Sequence, residues 1–395
     1  MITEIKSLAE KYFDEAVAVR RHLHAHPELS FLEVETGKFL AAKLMDYGIQ
    51  HQTGWADNGI VALVKGEQSA SDKVIALRAD MDALPITEVN EIDYKSKNEG
   101  IMHACGHDVH SASGLMAIRI LNDLKAHFSG TVKMIFQPGE ERLPGGASIL
   151  IKEGVLENPK PSGIIGQHVH PPLAVGKIGM KAGMYMASAD EIFVTVKGKG
   201  GHGALPQNCI DTILITSHLI TAMQQVVSRR ANPTTPSVLT FGKIESAGGA
   251  TNIIPNEVKL QGTFRTMDEE WRMEAHKIMQ TLAEDLIKSM GGSIEFNIIK
   301  GYPFLKNEEN LTHRLREAAI TYMGAENVVT LPTRMTSEDF SFYSQLVPAC
   351  FYRLGTGNKA KGIISPVHTN TFNVDEACLK IGPGLMAFLA LSELN

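Results

Sequence analysis

The sequence predicts an α/β protein: a domain built on a largely parallel sheet, into which a smaller ferredoxin-like α+β domain is inserted. Three observations carry this. In the first part of the chain, short β-rich runs alternate with helical stretches, the pattern of a parallel sheet covered by helices. The middle of the chain reads β-α-β-β-α-β, the split arrangement of a ferredoxin-like sandwich, and does so once. After about Lys300 the α/β character returns, so the small domain interrupts the large one. A length of 395 residues also exceeds the size at which one hydrophobic core stops growing.

Residues 3–25 show helical periodicity, and Thr36 to Tyr47 read as a second helix ending near Gly48. Gly59 to Lys65 and Lys73 to Arg78 are short β-rich runs. The stretch Asp108 to His127 carries an apolar stripe of Leu115, Ile118, Leu121 and Leu124 and reads as a helix. Thr131 to Phe136 is a buried strand closed by Pro138-Gly139. In such a sheet, reactive groups collect in the loops beyond the strand carboxyl ends. The inserted domain begins with an alternating strand, Asp190 to Lys197, and a helix, Ile210 to Arg229. Strands Ser237 to Ile244 and Glu257 to Arg265, a helix Glu269 to Met290 and a strand Ser293 to Ile299 complete it.

Composition narrows the function without naming it. Apolar residues at 44% and charged residues at 21% are ordinary for a globular protein. A net charge of −6 leaves no electrostatic footprint for nucleic acid or an anionic membrane, so neither partner is expected. The N-terminus does not read as a signal peptide, and no apolar stretch of about 18 residues argues for a membrane span. Cys105, Cys209, Cys350 and Cys378 are scattered, which does not suggest a disulfide framework. A reducing cytoplasm is the expected compartment. There a cysteine among histidines is a metal ligand or nucleophile rather than half of a disulfide.

The densest chemistry lies in Met102-His103-Ala104-Cys105-Gly106-His107-Asp108-Val109-His110. A thiolate, imidazoles and a carboxylate within nine residues form a store of metal-ligand types. Gly106 permits a tight turn that lets Cys105 and His107 converge, and Asp108 can cap the following helix. The second signal, Gln137-Pro138-Gly139-Glu140-Glu141-Arg142, follows a strand directly. Neighbouring side chains in extended backbone point apart, so one glutamate can bind a metal while the other faces a water. A solvated acidic turn before Gly145-Gly146 fits the same residues. In Arg78-Ala79-Asp80-Met81-Asp82-Ala83-Leu84-Pro85 the carboxylates either orient a ligating histidine or cap a turn. His168, His170, His368 and His202 are individually weak. The first three fit either a site at the sheet edge or hydrogen-bonded structural positions, and His202 sits in a glycine-rich turn. His22, His24 and His26 read as structural, on a helix end before Pro27-Glu28.

Taken together, these segments resemble the amidohydrolase branch of the aminoacylase and glutamate-carboxypeptidase family of metallopeptidases, which includes hippurate and indole-acetyl-amino-acid hydrolases. The resemblance spans nearly the whole chain through RRHLHAHPELSFLE, RADMDALPI, MHACGHDVH, FQPGEE, GGHGALP, ATNIIP, GTFR, MTSEDFSFY and PVHTNTFNVDE. It implies a zinc-peptidase-like mixed-sheet catalytic domain over 1–186 and 300–395, and a ferredoxin-like lid over 187–299 through which such proteins form homodimers. It further implies two divalent metal ions; the softness of a Cys105 ligand favours zinc, with manganese, cobalt or nickel as alternatives. Their ligands would be Cys105, His107, Glu141, His168 and His368, with Cys105 bridging the two ions. Glu140 matches the general base. His202 matches a lid histidine that, in related enzymes, reaches a partner subunit's active site and stabilises the oxyanion. Asn252 and Arg265 match positions that hold the substrate carboxylate. Where the wider family has His-x-Asp, this chain has Asp80-Met81-Asp82; Asp82 keeps the place of the aspartate that orients metal ligands. The activity implied is hydrolysis of N-acyl-L-amino acids. A dipeptidase or carboxypeptidase on the same scaffold, or a non-catalytic metal-binding protein, is the alternative.

Overall fold

The structure, a computed structural model, describes residues 1–394. The chain forms two compact units. Met1–Tyr185, Lys306–Thr333 and the stretch from Asp339 onward make the first; Met186–Leu305 with Arg334–Glu338 make the second. In chain order the elements are α1 (Ile2–Lys11), α2 (Phe13–Ala25), α3 (Val34–Asp46), β1 (Gln50–Trp55), β2 (Gly59–Lys65), β3 (Val74–Asp80), α4 (His107–Asp123), β4 (Thr131–Gln137), α5 (Gly146–Lys152), β5 (Gly163–Ala174), β6 (Ile178–Met180) and β7 (Gly183–Met186). Then follow β8 (Asp190–Lys197), β9 (Gly201–His202), α6 (Thr212–Gln225), β10 (Ser237–Ser246), β11 (Ile253–Ile254), β12 (Glu257–Thr266), α7 (Glu269–Ser289) and β13 (Ser293–Lys300). The chain ends through β14 (Leu305–Asn307), α8 (Glu309–Met323), β15 (Val328–Thr330), α9 (Ser341–Ser344), β16 (Ala349–Gly357) and α10 (Gly382–Leu394).

The first unit is built on an eight-stranded sheet in the order β1-β2-β4-β3-β5-β16-β6-β15. Its centre, β4-β3-β5-β16, is parallel, as the alternation of strands and helices implies. The sheet as a whole is mixed, because β1, β2 and β6 pair antiparallel toward its margins. Strand β3, VIALRAD, is buried along its full length, the signature of a strand covered on both faces. One covering helix is α4, whose residues from His107 to Ile118 are all buried. Gly114 allows that approach: a Cβ there would lie 2.3 Å from Met134 Cε. The buried residues of α4 include His107, Asp108, His110, Ser111 and Ser113, so this helix lies in the core although it is not apolar all round.

Four local features differ from the sequence expectation. The helix expected over 3–25 breaks at Tyr12, whose hydroxyl bonds Asp123 of α4 and whose ring lies 3.8 Å from the Arg119 guanidinium. Tertiary contacts outweigh helical periodicity at that residue. Strand β1, QHQTGW, is a polar edge strand without apolar alternation. Asp108 does not cap α4; Gly106 occupies the N-cap, and Asp108 turns toward Arg20 and His24. Finally, Glu376–Leu394 is long and apolar enough to cross a membrane by length and composition, yet 67% of its apolar window is buried against the first unit's core.

The second unit pairs its strands antiparallel in the order β10-β12-β8-β13, which is the ferredoxin-like order. Ile192, Val194 and Val196 alternate inward along β8 and meet Leu219 and Met223 of α6 and Ala275 and Met279 of α7. A π-helical turn, Val226–Arg230, extends α6.

Candidate metal centre

The first unit gathers its metal-type donors beyond the carboxyl ends of the parallel strands. Asp80 ends β3, with Asp82 two residues on; Glu140 and Glu141 follow β4; His168 lies within β5. Cys105 and His107 flank Gly106 at the start of α4, where Gly106 takes φ +84° and a Cβ would lie 2.5 Å from Val169 Cγ2. No L side chain adopts that turn in that space without strain. His368 arrives from the far end of the chain. It too has a left-handed backbone, φ +62°, held by its N–H donating to Ala104 O at 2.8 Å. A non-glycine residue in that region persists only where its surroundings over-determine it, and such residues cluster at functional sites.

Two three-donor groups meet at Cys105. One is Cys105, His107 and His168; the other is Cys105, Glu141 and His368, and within each group the donor atoms all lie within 4.8 Å of one another. His168 Nε2 lies 3.4 Å and His368 Nε2 3.3 Å from the Cys105 sulfur, and His368 Nε2 is 3.1 Å from Glu141 Oε1. The imidazoles are set as ligands need to be. His107 Nδ1 bonds Asp82 Oδ1 at 3.0 Å, while its Nε2 is buried without a hydrogen-bond partner. His168 Nδ1–H donates to Val169 O at 2.8 Å, which leaves Nε2 unprotonated toward the sulfur. Fixing one ring nitrogen by a hydrogen bond in order to present the other is the usual support of a metal-ligating histidine. Glu141 Oε1 is likewise buried, and among the described residues its near neighbour is His368 Nε2, without an aligned hydrogen bond.

The electrostatics point the same way. Burial, then Glu141, Glu140 and Asp80, push the Cys105 thiol well above its ordinary range, so a thiolate there requires a cation beside it. Burial, then Arg353, push His168 well down, which keeps it neutral. Burial opposes charge on His107, but Asp80, Asp82 and Glu141 outweigh it and raise it to about 10. This donor set of thiolate, imidazoles and carboxylate, with orphaned buried atoms facing one another, fits two divalent cations.

Asp80 and His110 are not part of that set, although their atoms lie near His107. His110 Nε2 accepts from Val169 N at 2.9 Å, so its Nδ1–H is committed to Asp80. Asp80 is in turn bonded by Arg78, whose Nη2 donates to Asp339 Oδ1 at 2.6 Å and whose Nε donates to Gln137 Oε1 at 3.0 Å. Asp82 does what the sequence left open: Oδ1 faces His107, and Oδ2 accepts from Ser30 Oγ at 2.6 Å and from Glu141 N at 2.9 Å. Glu140 is buried and accepts from Asp339 N at 3.4 Å. His103 is buried with neither ring nitrogen partnered, and burial pushes it down to about 4. His24 is structural, bridging Asp108 and Glu88, and His22 stacks on Phe39 at 4.0 Å.

Residues 76–392 match the model of peptidase family M20/M25/M40. The chain belongs to that family. An N-acyl-L-amino acid amidohydrolase of Geobacillus stearothermophilus is 40% identical over 307 residues, 78% of this chain and 82% of the relative. An N-acetylcysteine deacetylase of Bacillus subtilis is 36% identical over 390 residues, 98% of this chain and 99% of the relative. A crystal structure of a Bacillus subtilis protein, described as a dinuclear metal-binding peptidase of the M20 family, superposes with TM-score 0.82 at 33% identity. It covers 98% of this chain and 99% of that one.

The M20 chain carries its remaining sequence-identified residues on the second unit. His202 lies on β9, paired with Ile253 of β11, and is exposed; its Nδ1 accepts from Ala204 N at 3.1 Å. Asn252 is exposed next to that pair, and its carbonyl accepts from Gly203 N at 2.8 Å. Arg265 of β12 is half-buried, donates to Ser337 Oγ at 3.3 Å, and has no carboxylate at ion-pair distance among the described residues. Burial pushes its guanidinium down. Sequence reasoning missed the Arg78–Asp339–Gln137 network. Its signals were present in RADMDALPI, FQPGEE and MTSEDFSFY, but nothing local tells that Arg78 reaches across 261 residues to Asp339.

Proposed function

We propose that this chain hydrolyses the amide bond of N-acyl-L-amino acids, giving a carboxylic acid and a free amino acid, at a centre of two divalent cations. One observation carries the reading: two three-donor groups meet at a single buried thiol, with Glu140 immediately beside Glu141. Cys105, His107 and His168 would hold one cation, and Cys105, Glu141 and His368 the other. Bound there, such cations would supply Lewis acidity toward an amide carbonyl and lower the pKa of a water from 15.7 toward about 7. The soft thiolate favours zinc, with manganese, cobalt or nickel as alternatives.

Glu140 takes a proton from the attacking water as its oxygen adds to the amide carbon. It returns that proton to the amine nitrogen as the C–N bond breaks. Asp82 holds His107 in one tautomer and orientation throughout. His202 of the second unit accepts at Nδ1, so its Nε2 carries the hydrogen; as the resemblance implies, it would donate to the developing oxyanion in a partner subunit's active site, a contribution of roughly 3–4 kcal/mol. Arg265 offers a fork with no carboxylate at ion-pair distance among the described residues and, with Asn252, selects substrates that end in one. The names of the two curated relatives, an N-acyl-amino-acid amidohydrolase and an N-acetylcysteine deacetylase, support the acyl-amino-acid class. Four free cysteines accord with a cytoplasmic setting, and the exposed edge strand β10 supports a homodimer through the lid unit.

The test is hydrolysis of N-acetyl and N-benzoyl amino acids beside dipeptides, on protein reconstituted with each metal in turn. Acyl amino acids are expected to be the better substrates, and Glu140→Gln is expected to abolish turnover with metal content intact. Preference for dipeptides would move the reading to a dipeptidase, and activity surviving in Glu140→Gln would remove the base.

A further inference from the structure

We infer that the segment Ser30–Glu33 is a clamp that fixes the backbone on both sides of Glu140, with Glu33 as its positioning residue. The amide of Gly139, before Glu140, donates to Glu33 Oε1 at 2.7 Å. The amide of Glu141, after it, donates to Asp82 Oδ2 at 2.9 Å, and Ser30 Oγ holds that same oxygen at 2.6 Å. Between these two anchors the Phe31 ring lies over Gly139, so close that a Cβ on Gly139 would sit 2.3 Å from Phe31 Cε1. Phe31 itself has a left-handed backbone, φ +68°, and its carbonyl is held by Asn58 Nδ2 at 3.1 Å. A bulky residue stays in that conformation only where its surroundings dictate it. The base is thus tied down by three consecutive features of a segment 106 residues away in sequence.

Among the described residues Glu33 has no hydrogen bond or ion pair with the metal-type donors, and the Gly139 amide is its link to the Glu140 loop. Glu33 is fully buried, and among the described residues its Oε2 has no hydrogen-bond partner. Burial, then Asp82, raise its carboxyl to about 7. Either protonation state keeps Oε1 as the acceptor for Gly139, which makes glutamine the faithful replacement and alanine the one that releases the loop.

The kinetic arm rests on the amide-hydrolase reading; a second arm does not. In metal-loaded protein, amide hydrogen exchange over 137–142 is expected to be slow. Glu33→Ala should accelerate it at least tenfold and lower kcat at least tenfold, with KM within threefold and metal content unchanged. Glu33→Gln should stay within threefold of the parent on every measure. Unchanged exchange in a folded Glu33→Ala, or a Glu33→Gln as impaired as the alanine variant, overturns the clamp. Should Glu33→Ala not fold, Ser30→Ala removes a single hydroxyl; severalfold faster exchange over 137–142 supports the clamp and no change overturns it. If the parent hydrolyses no acyl amino acid, the functional reading fails while the exchange arm still decides the clamp.

Discussion

Replacing Asp82 by asparagine changes one atom type and almost no volume, yet it should cost the enzyme between one and two orders of magnitude. Asp82 makes three hydrogen bonds as an acceptor: to His107 Nδ1 on one oxygen, and to Ser30 Oγ and Glu141 N on the other. Burial would favour its neutral form, but His107, Ser30 and the Glu141 amide outweigh that and hold its carboxyl below the usual range. Asparagine can keep only one oxygen. If that oxygen serves His107, the new NH2 faces the Glu141 amide, donor against donor, and the loop carrying a ligand is pushed away. If it serves Glu141, the His107 N–H loses its acceptor. Either way one hydrogen bond to a charged acceptor goes, worth about 1.5–3 kcal/mol, or roughly 10- to 150-fold. That agrees with the ~10–100-fold cost of removing the outer partner of a ligating histidine. Competition with a chromophoric chelator measures cation affinity, and kcat/KM on the best acyl amino acid measures catalysis. An Asp82→Asn protein within threefold of the parent in both would refute the argument that this carboxylate sets the ligand geometry.

Three further outcomes follow from the same structure. Arg265→Lys keeps the charge and loses the fork, so kcat/KM for acyl amino acids should fall about tenfold or more, mostly through KM; an unchanged KM would take the carboxylate contact away from Arg265. Cobalt-loaded protein should show a thiolate-to-metal charge-transfer band that Cys105→Ser removes; a parent spectrum without that band, or one unchanged in Cys105→Ser, would refute the metal-bound thiolate. Lys133 is buried, donates to Val155 O at 2.9 Å and Glu157 O at 2.6 Å, and burial pushes it down to about 8. The unfolded chain therefore binds more protons between about pH 8 and 10.4, and the stability difference between parent and Lys133→Met should shift toward the parent across that window; a flat difference would refute it.

Much of the fold is legible because its strands announce themselves. Strand β8 alternates along its whole length, and β3 and β4 are short buried runs closed by turn residues, so their bounds can be read closely from the sequence. The polar strand β1 cannot, since an edge strand with one partner needs no apolar alternation. Nor can the break at Tyr12, which is set by Asp123 and Arg119 more than a hundred residues away. Local pattern reports on burial and turn chemistry, and both features depend on distant partners instead.

The candidate site divides along the same line. Cys105, His107 and Glu141 are legible because each stands in a loop dense with ligand types, where one segment supplies the evidence. His168 and His368 are not legible from their own segments, where each is a lone histidine; only the family resemblance singles them out, and Cys105 Sγ lies 3.4 and 3.3 Å from them. Asp80 and Asp82 show the deeper limit. They are two residues apart on one strand end and of one chemical type, yet Asp82 serves His107 and the Glu141 loop while Asp80 is bound to Arg78 and His110. Asp80 is the last residue of β3 and Asp82 lies beyond it, so their difference comes from the partners each meets, and those partners were laid down by segments far along the chain. A site of this kind is therefore specified less by its ligands than by the residues that permit only one arrangement of them. Gly106 and Asp82 are positions where a small substitution should disturb the chemistry without touching a donor, and Glu33 is one where losing the acceptor should.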